Sequence, residues 1–204
     1  MARLLYIKAS PRGERSFSIR AADAFVAAYR EVHPNDQVEE LDLFSTELAE
    51  FDAHAAEGKY AIIYGRDGSE ESRRAWKKVA ETIEHFKSFD KYVLAVPMWN
   101  FGMPYRMKLY FDTIIQPTLT FAVTDAGYKG LLEGRKALTV YSSGGEYGGK
   151  LAALDHRTPH VEQLLGFVGI EDRARIDVAG TLGQAGEERL AAAIREAREL
   201  AKNW

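Results

Sequence analysis

Three segments of this chain carry residues suited to holding a phosphate group and a flat ring. Each segment follows an apolar run that is typical of a buried strand, and the runs are 4–7, 92–96 and 137–141. In a parallel α/β sheet the carboxyl ends of the strands meet at one edge, so the loops that follow these runs should lie together. The first loop would hold a phosphate at a helix N-terminus and the other two a flat ring. Together these features predict a site for flavin mononucleotide (FMN).

The first loop contains three hydroxyls, Ser10, Ser16 and Ser18, with Gly13 as its single glycine. It has neither the G-x-G-x-x-G spacing of a dinucleotide site nor a Walker sequence. We expect the hydroxyls and the free amides of the following helix to form a neutral cradle for a monophosphate. Serines also cap helices and form turns, so a purely structural role stays open.

The second loop, Pro97–Pro104, combines two large aromatic residues, Trp99 and Phe101, with Asn100 and a glycine. Such a loop at a strand end suits the edge of an isoalloxazine ring, although both aromatics could be core residues. The third loop is Ser142–Gly145, whose unhindered amides could stabilise negative charge near N1 and O2 of reduced flavin. A flexible turn is the alternative there.

Composition excludes several other kinds of chemistry. The chain has 204 residues, 46% of them hydrophobic, and no cysteine, which rules out disulfides and thiol catalysis and favours the cytoplasm. The net charge is -3 and basic residues are interspersed with acidic ones along the chain, so we expect no nucleic-acid partner. No segment resembles a signal peptide or a membrane span, and we expect no membrane partner.

Strand and helix patterns alternate along the chain. After the first strand, the predicted elements are a helix over 16–32, an edge strand over 37–43, an irregular helical stretch over 47–66, helices over 70–87 and 104–111, a long connection over 116–134 that is either a functional loop or a small hairpin, a helix over 160–168, a strand over 175–179 and a helix over 187–202. This order predicts a three-layer, doubly wound, parallel five-stranded sheet with the flavodoxin-like strand order 2-1-3-4-5. Residues 1–204 would form one domain.

Hydrolytic and metal chemistry are disfavoured. Ser143, Asp155 and His156 or His160 could be assembled into a triad, but the G-x-S-x-G motif is missing. The two histidines have the spacing of a helical metal pair, but Pro159 lies between them and no third ligand is evident. We therefore predict no metal site. Protons for a flavin reaction can come from water or from the flavin itself, so we assign no catalytic acid or base.

The sequence resembles the family of FMN-dependent NADH-azoreductases, which are quinone reductases. The resemblance rests on the second and third loops together with Lys108–Asp112, Thr120-Phe121, Gly127, Gly130-Leu131 and Gly134–Ala137. The resemblance covers nearly the whole chain. It implies a homodimeric flavodoxin-like fold with one FMN per subunit and substrate pockets at the subunit interface. It also implies that two electrons pass from NADH or NADPH, through the flavin, to a quinone or azo compound in a ping-pong reaction.

The same resemblance implies the cofactor contacts. Trp99 stands where many relatives have tyrosine, and Phe17 stands where the residue is often polar. Either difference would alter ring stacking or the redox potential of the flavin without removing the phosphate site. The implied FMN contacts are Ser10, Ser16, Phe17, Ser18, Met98, Trp99, Asn100, Phe101, Ser142, Ser143, Gly144 and Gly145.

Two other functions remain possible from sequence. A flavodoxin-like electron carrier would bind FMN and act on partner proteins, but such carriers are usually strongly acidic. A cofactor-free scaffold would use the loops structurally. A homodimer is expected because Met107, Tyr110, Phe111 and Ile114 give one helix more apolar surface than a sheet face requires, with burial inside the monomer as the alternative.

Overall fold

A five-stranded sheet organises the chain in the computed structural model, which describes all residues from Met1 to Trp204. The strands in chain order are β1 (Arg3–Lys8), β2 (Gln37–Asp42), β3 (Lys91–Pro97), β4 (Phe121–Thr124), β5 (Gly127–Gly130), β6 (Lys136–Ser142) and β7 (Asp172–Val178). The helices are α1 (Phe17–Val32), α2 (Ala53–Ile63), α3 (Glu70–Lys87), α4 (Tyr105–Ile114), α5 (Arg157–Phe167) and α6 (Gly186–Ala201). Short 3-10 turns cover Gly13–Arg15 and Gly149–Leu154.

The sheet has the order β2-β1-β3-β6-β7, and every neighbouring pair is parallel. The predicted parallel five-stranded, flavodoxin-like sheet is therefore confirmed. The strand numbers differ from the predicted order because β4 and β5 pair with each other as an antiparallel hairpin outside the sheet. That hairpin lies within the long connection 116–134, for which a small hairpin was one of the two alternatives.

Helices cover both faces of the sheet. Successive residues of β1 point to opposite faces, so that Leu5 packs with α3, α4 and α5 while Tyr6 packs with α1 and α6. The central strands β1, β3 and β6 are buried on both faces, as their continuous apolar runs require. The edge strands β2 and β7 carry exposed polar residues. No helix combines the length and apolar character that crossing a bilayer requires.

Helix α4 shows where the sequence argument for a dimer was wrong. Met107, Tyr110, Phe111 and Ile114 are each at most 2% exposed, and all four belong to the core between the sheet and α3. Their apolar surface is thus used inside one chain. The burial alternative is the correct one for these residues, and they give no support to a subunit interface.

The hairpin is fixed to the body of the protein by a close backbone approach. Gly130, the last residue of β5, lies against the turn that ends α5, and a Cβ on Gly130 would collide with the backbone of Val168 and Gly169. Leu132 N donates to Val168 O at 2.8 Å beside it. Only glycine permits this contact, because the obstructing atoms are backbone and cannot rotate away.

We expect Gly130→Ala to destabilise the chain by about 1–3 kcal/mol, the usual cost of overpacking. For a chain of this size that lowers the melting temperature by a few °C, on the order of 2–4 °C per kcal/mol. Gly148→Ala is the matched control, because a Cβ there meets nothing within 4 Å and the residue has φ -113. Equal melting temperatures for the two variants would contradict the close-approach argument.

Candidate functional site

The predicted loops converge on one recess at the carboxyl edge of the sheet. The recess measures about 90 Å³, against roughly 30 Å³ for a water molecule, so it admits a phosphate-sized group and a longer ligand must extend along the loops. Its lining comes from the ends of β1, β3, β6 and β7. The lining residues are Ser10, Arg12, Ser16, Phe17, Pro97, Met98, Trp99, Ser142, Ser143, Gly144 and Thr181.

The first loop presents buried hydroxyls and free amides at the start of α1. Ser16 occupies the N-cap position, yet its hydroxyl makes no capping hydrogen bond and lies 3.2 Å from Ser18 Oγ. The amides of Phe17, Ser18 and Ile19 donate to no acceptor within the chain. Free amides and the positive end of a helix form an anion site, so a structural capping role does not explain these serines.

Arg12 also lines the recess, between Ser10 and Ser16. The expectation of a neutral cradle was therefore wrong, because a permanently charged guanidinium stands beside the hydroxyls. Arginine matches the geometry of a phosphate with two parallel donors. Arg12 and Arg15 both lie between those two serines in the sequence, and only Arg12 lines the recess.

The second loop is a tight turn. Trp99 N donates to Gly102 O at 2.9 Å and Gly102 N donates to Trp99 O at 2.9 Å, while Asn100 and Phe101 have φ of 47° and 68°. Two successive left-handed residues are characteristic of a type I′ turn. Asparagine tolerates that conformation, but phenylalanine rarely adopts it, and such strain is concentrated at functional sites. Phe101 is held 43% exposed at the rim of the recess.

Trp99 belongs to an aromatic wall rather than to the core. Its ring lies 5.6 Å from that of Phe44 and 6.4 Å from that of Tyr105, and Phe44 and Tyr105 meet edge to face at 5.8 Å. Tyr105 is 64% exposed, so one side of the wall faces solvent. Sequence reasoning missed Phe44, which follows the edge strand β2 and carries no motif of its own.

The third loop is bonded to the segment after β7, residues 179–183, which we call the fourth loop. Thr181 N donates to Ser143 O at 3.0 Å, Leu182 N to Gly144 O at 3.1 Å and Gly180 N to Gly145 O at 3.1 Å. With the third-loop carbonyls occupied in this way, the amides of Gly144 and Gly145 have no acceptor within the chain. They form a second group of free donors.

The sequence analysis did not anticipate the fourth loop. Thr181 lines the recess, and its Oγ1 donates to Ser143 O at 3.1 Å. The signal that could have found it is positional, since the predicted strand before it is parallel to the others and must end at the same edge.

Arg157, the first residue of α5, lies beneath the second and third loops and is 3% exposed. Its Nη1 donates to Ser142 O at 2.7 Å and to Val96 O at 3.4 Å, and its Nη2 lies 3.7 Å from Asp155 Oδ2. Burial lowers the pKa of the guanidinium and Asp155 opposes that shift. Arginine nevertheless stays charged, so a buried cation underlies this part of the site.

Most of the predicted residues are brought together. Eight line the recess, and the other four adjoin it: Ser18 contacts Ser16, Asn100 and Phe101 form the turn, and Gly145 belongs to the third loop. Larger hollows lie elsewhere, one of about 580 Å³ at the end of α2 and one of about 980 Å³ between β2 and α3. Neither of these is lined by a loop after β1, β3, β6 or β7.

The donor set fits FMN. Free amides, hydroxyls and Arg12 match a phosphate, the aromatic second loop matches a planar ring, and the Gly144 and Gly145 amides match the negative charge that such a ring gains on reduction.

Comparisons with known proteins agree with this fit. A family model described as a flavodoxin-like fold matches residues 2–201. A protein named FMN-dependent NADH:quinone oxidoreductase from Nitratidesulfovibrio vulgaris is 44% identical over 98% of this chain and 99% of its own length. A protein of the same name from Desulfotalea psychrophila is 41% identical over 99% and 97%.

Solved structures give the same result. An azoreductase from Bacillus anthracis strain Sterne superimposes with a TM-score of 0.94 at 30% identity, over 100% of both chains. An FMN-dependent NADH-azoreductase from Bacillus anthracis strain Ames Ancestor, in complex with FMN, gives 0.92 at 28% identity over 100% of this chain and 99% of that one. The chain therefore belongs to the flavodoxin-like family of FMN-dependent NADH:quinone oxidoreductases and NADH-azoreductases.

Proposed function

We propose that this protein is an FMN-dependent oxidoreductase that transfers two electrons from NADH or NADPH to quinones and aromatic azo compounds. One observation carries the proposal: two groups of backbone amides, at the start of α1 and in the third loop, lie at or beside a common recess and have no acceptor within the chain. A ligand with an anion at one end and an electron-rich ring system at the other satisfies both groups.

The phosphate of FMN binds at the first loop. Ser10, Ser16 and Ser18 donate hydroxyl hydrogen bonds, Phe17 and its neighbours donate amides, and Arg12 supplies the countercharge. The dianion adds to the favourable field of the helix N-terminus. This assignment uses every buried hydroxyl of the loop.

The ring of FMN lies along the second and third loops. Met98, Trp99, Asn100 and Phe101 would surround its edge, and in the segment from Ser142 to Gly145 the free amides of Gly144 and Gly145 would donate to it. Bound FMN would supply the two-electron chemistry between nicotinamide and acceptor, and the chain would supply binding, orientation and electrostatics. No side chain is needed as a nucleophile, acid or base.

The aromatic wall gives the acceptor side of the site its character. Trp99 and Tyr105 expose flat apolar surface next to the recess, and planar quinones and azo dyes stack on such surfaces. Residues 1–204 act as one FMN-binding domain. Absence of cysteine and a net charge of -3 support a cytoplasmic enzyme without nucleic-acid or membrane partners.

The test compares the parent protein with the double variant Ser16→Ala, Ser18→Ala. We expect the parent to bind FMN with quenching of flavin fluorescence and to oxidise NADH when menadione is added. Each lost hydrogen bond to a phosphate costs about 1.5–3 kcal/mol, so the FMN dissociation constant of the variant rises by at least about 100-fold.

Ser88→Ala is the control for that variant, because Ser88 ends α3 at the opposite edge of the sheet and should leave FMN binding unchanged. Absence of FMN binding by the parent would contradict the proposal and indicate a scaffold. FMN binding without turnover of NADH or NADPH would indicate an electron carrier instead.

We also propose that the protein is a homodimer, on grounds other than α4. The end of α2 exposes Tyr60, Ile62, Ile63 and Tyr64, each between 49% and 66%. Tyr60 and Tyr64 line the 580 Å³ hollow, and Ile62 and Ile63 lie between them in the chain. Monomeric proteins seldom expose so much apolar surface in one place, and a second copy of this chain would cover it.

Light scattering at micromolar concentration is expected to give twice the 22.9 kDa of one chain. Ile62→Asp combined with Tyr64→Asp should shift the mass towards one chain, since a buried unpaired carboxylate opposes association. Val32→Asp is the control, because Val32 is 45% exposed at the end of α1. A parent that scatters as one chain would contradict the dimer.

A further inference from the structure

Arg157 occupies the point where the second and third loops begin. Ser142 O, the last carbonyl of β6, accepts from Arg157 Nη1 at 2.7 Å and from Met98 N at 2.8 Å. The same guanidinium reaches Val96 O at 3.4 Å. One side chain therefore touches the carboxyl ends of both strands from which these loops arise.

The sheet does not need this arginine for its register. The β3–β6 ladder is paired continuously from Lys91 with Lys136 to Pro97 with Ser142. Burial of a guanidinium is costly, and here one buried nitrogen, Nε, has no hydrogen-bond partner at all. A buried charge that the fold does not require, next to a cleft, indicates a functional role.

The formal charges around Arg157 balance, but the guanidinium is the more deeply buried member of its ion pair, so its charge is screened less than that of its partner. Its near partner is Asp155, whose side chain is 17% exposed against 4% for Arg157 and already accepts hydrogen bonds from Thr158 N and Oγ1. Asp177 acts on it from β7 but is paired with Arg175 at 3.2 Å. Tyr141, whose ring lies 4.6 Å from the guanidinium, is neutral because burial raises its pKa.

We propose that Arg157 is a positioning residue that raises the reduction potential of bound FMN, by holding the second and third loops together and by placing a fixed positive charge beneath them. The inference rests on the proposed function. Reduction makes the ring anionic near N1 and O2, so a cation in a poorly screened position favours the reduced form over the oxidised form. The contact with Ser142 O fixes the start of the third loop, whose free amides would donate to the bound ring.

The test measures the two-electron potential of the bound flavin by anaerobic equilibration with reference dyes. We expect Arg157→Met to lower about tenfold the ratio of the affinity for reduced FMN to the affinity for oxidised FMN. For a two-electron couple this lowers the reduction potential by about 30 mV. Arg157→Lys keeps the charge and should retain most of the potential. Asp155→Asn removes the opposing charge, keeps an oxygen acceptor for Thr158, and should raise the potential.

Arg135→Met is the matched control. Arg135 also donates to two backbone carbonyls, Phe89 O at 3.0 Å and Lys87 O at 2.8 Å, but at the opposite edge of the sheet. Its loss should leave the potential unchanged even if the melting temperature falls. The comparison separates an electrostatic effect on the flavin from a general loss of stability.

The inference is overturned if Arg157→Met retains the parent potential, or if the Met and Lys variants fall equally. If Arg157→Met does not fold or hold FMN, Asp155→Asn decides, and an unchanged potential in that variant overturns the inference. A parent that binds FMN while these potentials stay constant leaves the proposed function intact. A parent without FMN overturns both.

Discussion

Unpartnered backbone amides at one edge of the sheet are the feature on which the site depends. Three stand at the start of α1, from Phe17 to Ile19, and two are the glycine amides of the third loop, Gly144 and Gly145. Amides without an acceptor in the chain are satisfied by water or by a ligand, and a ligand with suitably placed acceptors can satisfy both groups around one recess. The ligand must present acceptors at two separated points, as a phosphate joined to a polar ring does.

The fold creates this arrangement through parallel pairing. Because all five strands run in the same direction, every carboxyl end opens onto one edge, and loops far apart in sequence become neighbours. The fourth loop then occupies the third-loop carbonyls, while the amides of Gly144 and Gly145 have no acceptor within the chain. Arg157 joins the second and third loops from below. The binding surface is thus a product of backbone hydrogen bonding more than of special side chains.

The convergence of the loops was predictable from sequence, because apolar runs indicate the strands and parallel pairing places the carboxyl ends of all strands at one edge of the sheet. Helix α3 has the predicted bounds, and the loops after β1, β3 and β6 meet as expected. Contacts made by single residues from distant segments were not predictable. Thr181 and Arg157 carry no motif, and their roles follow from which carbonyls they reach. The apolar face of α4 was misassigned because a sequence does not show how many partners a helix has.

Amide NMR during titration with FMN tests the central claim most directly. If both groups of amides bind one molecule, the resonances of Phe17, Ser18 and Ile19 and those of Gly144 and Gly145 shift together, with a single saturation point at one FMN per chain. Shifts confined to one group, or saturation of the two groups at different FMN concentrations, would contradict a shared site.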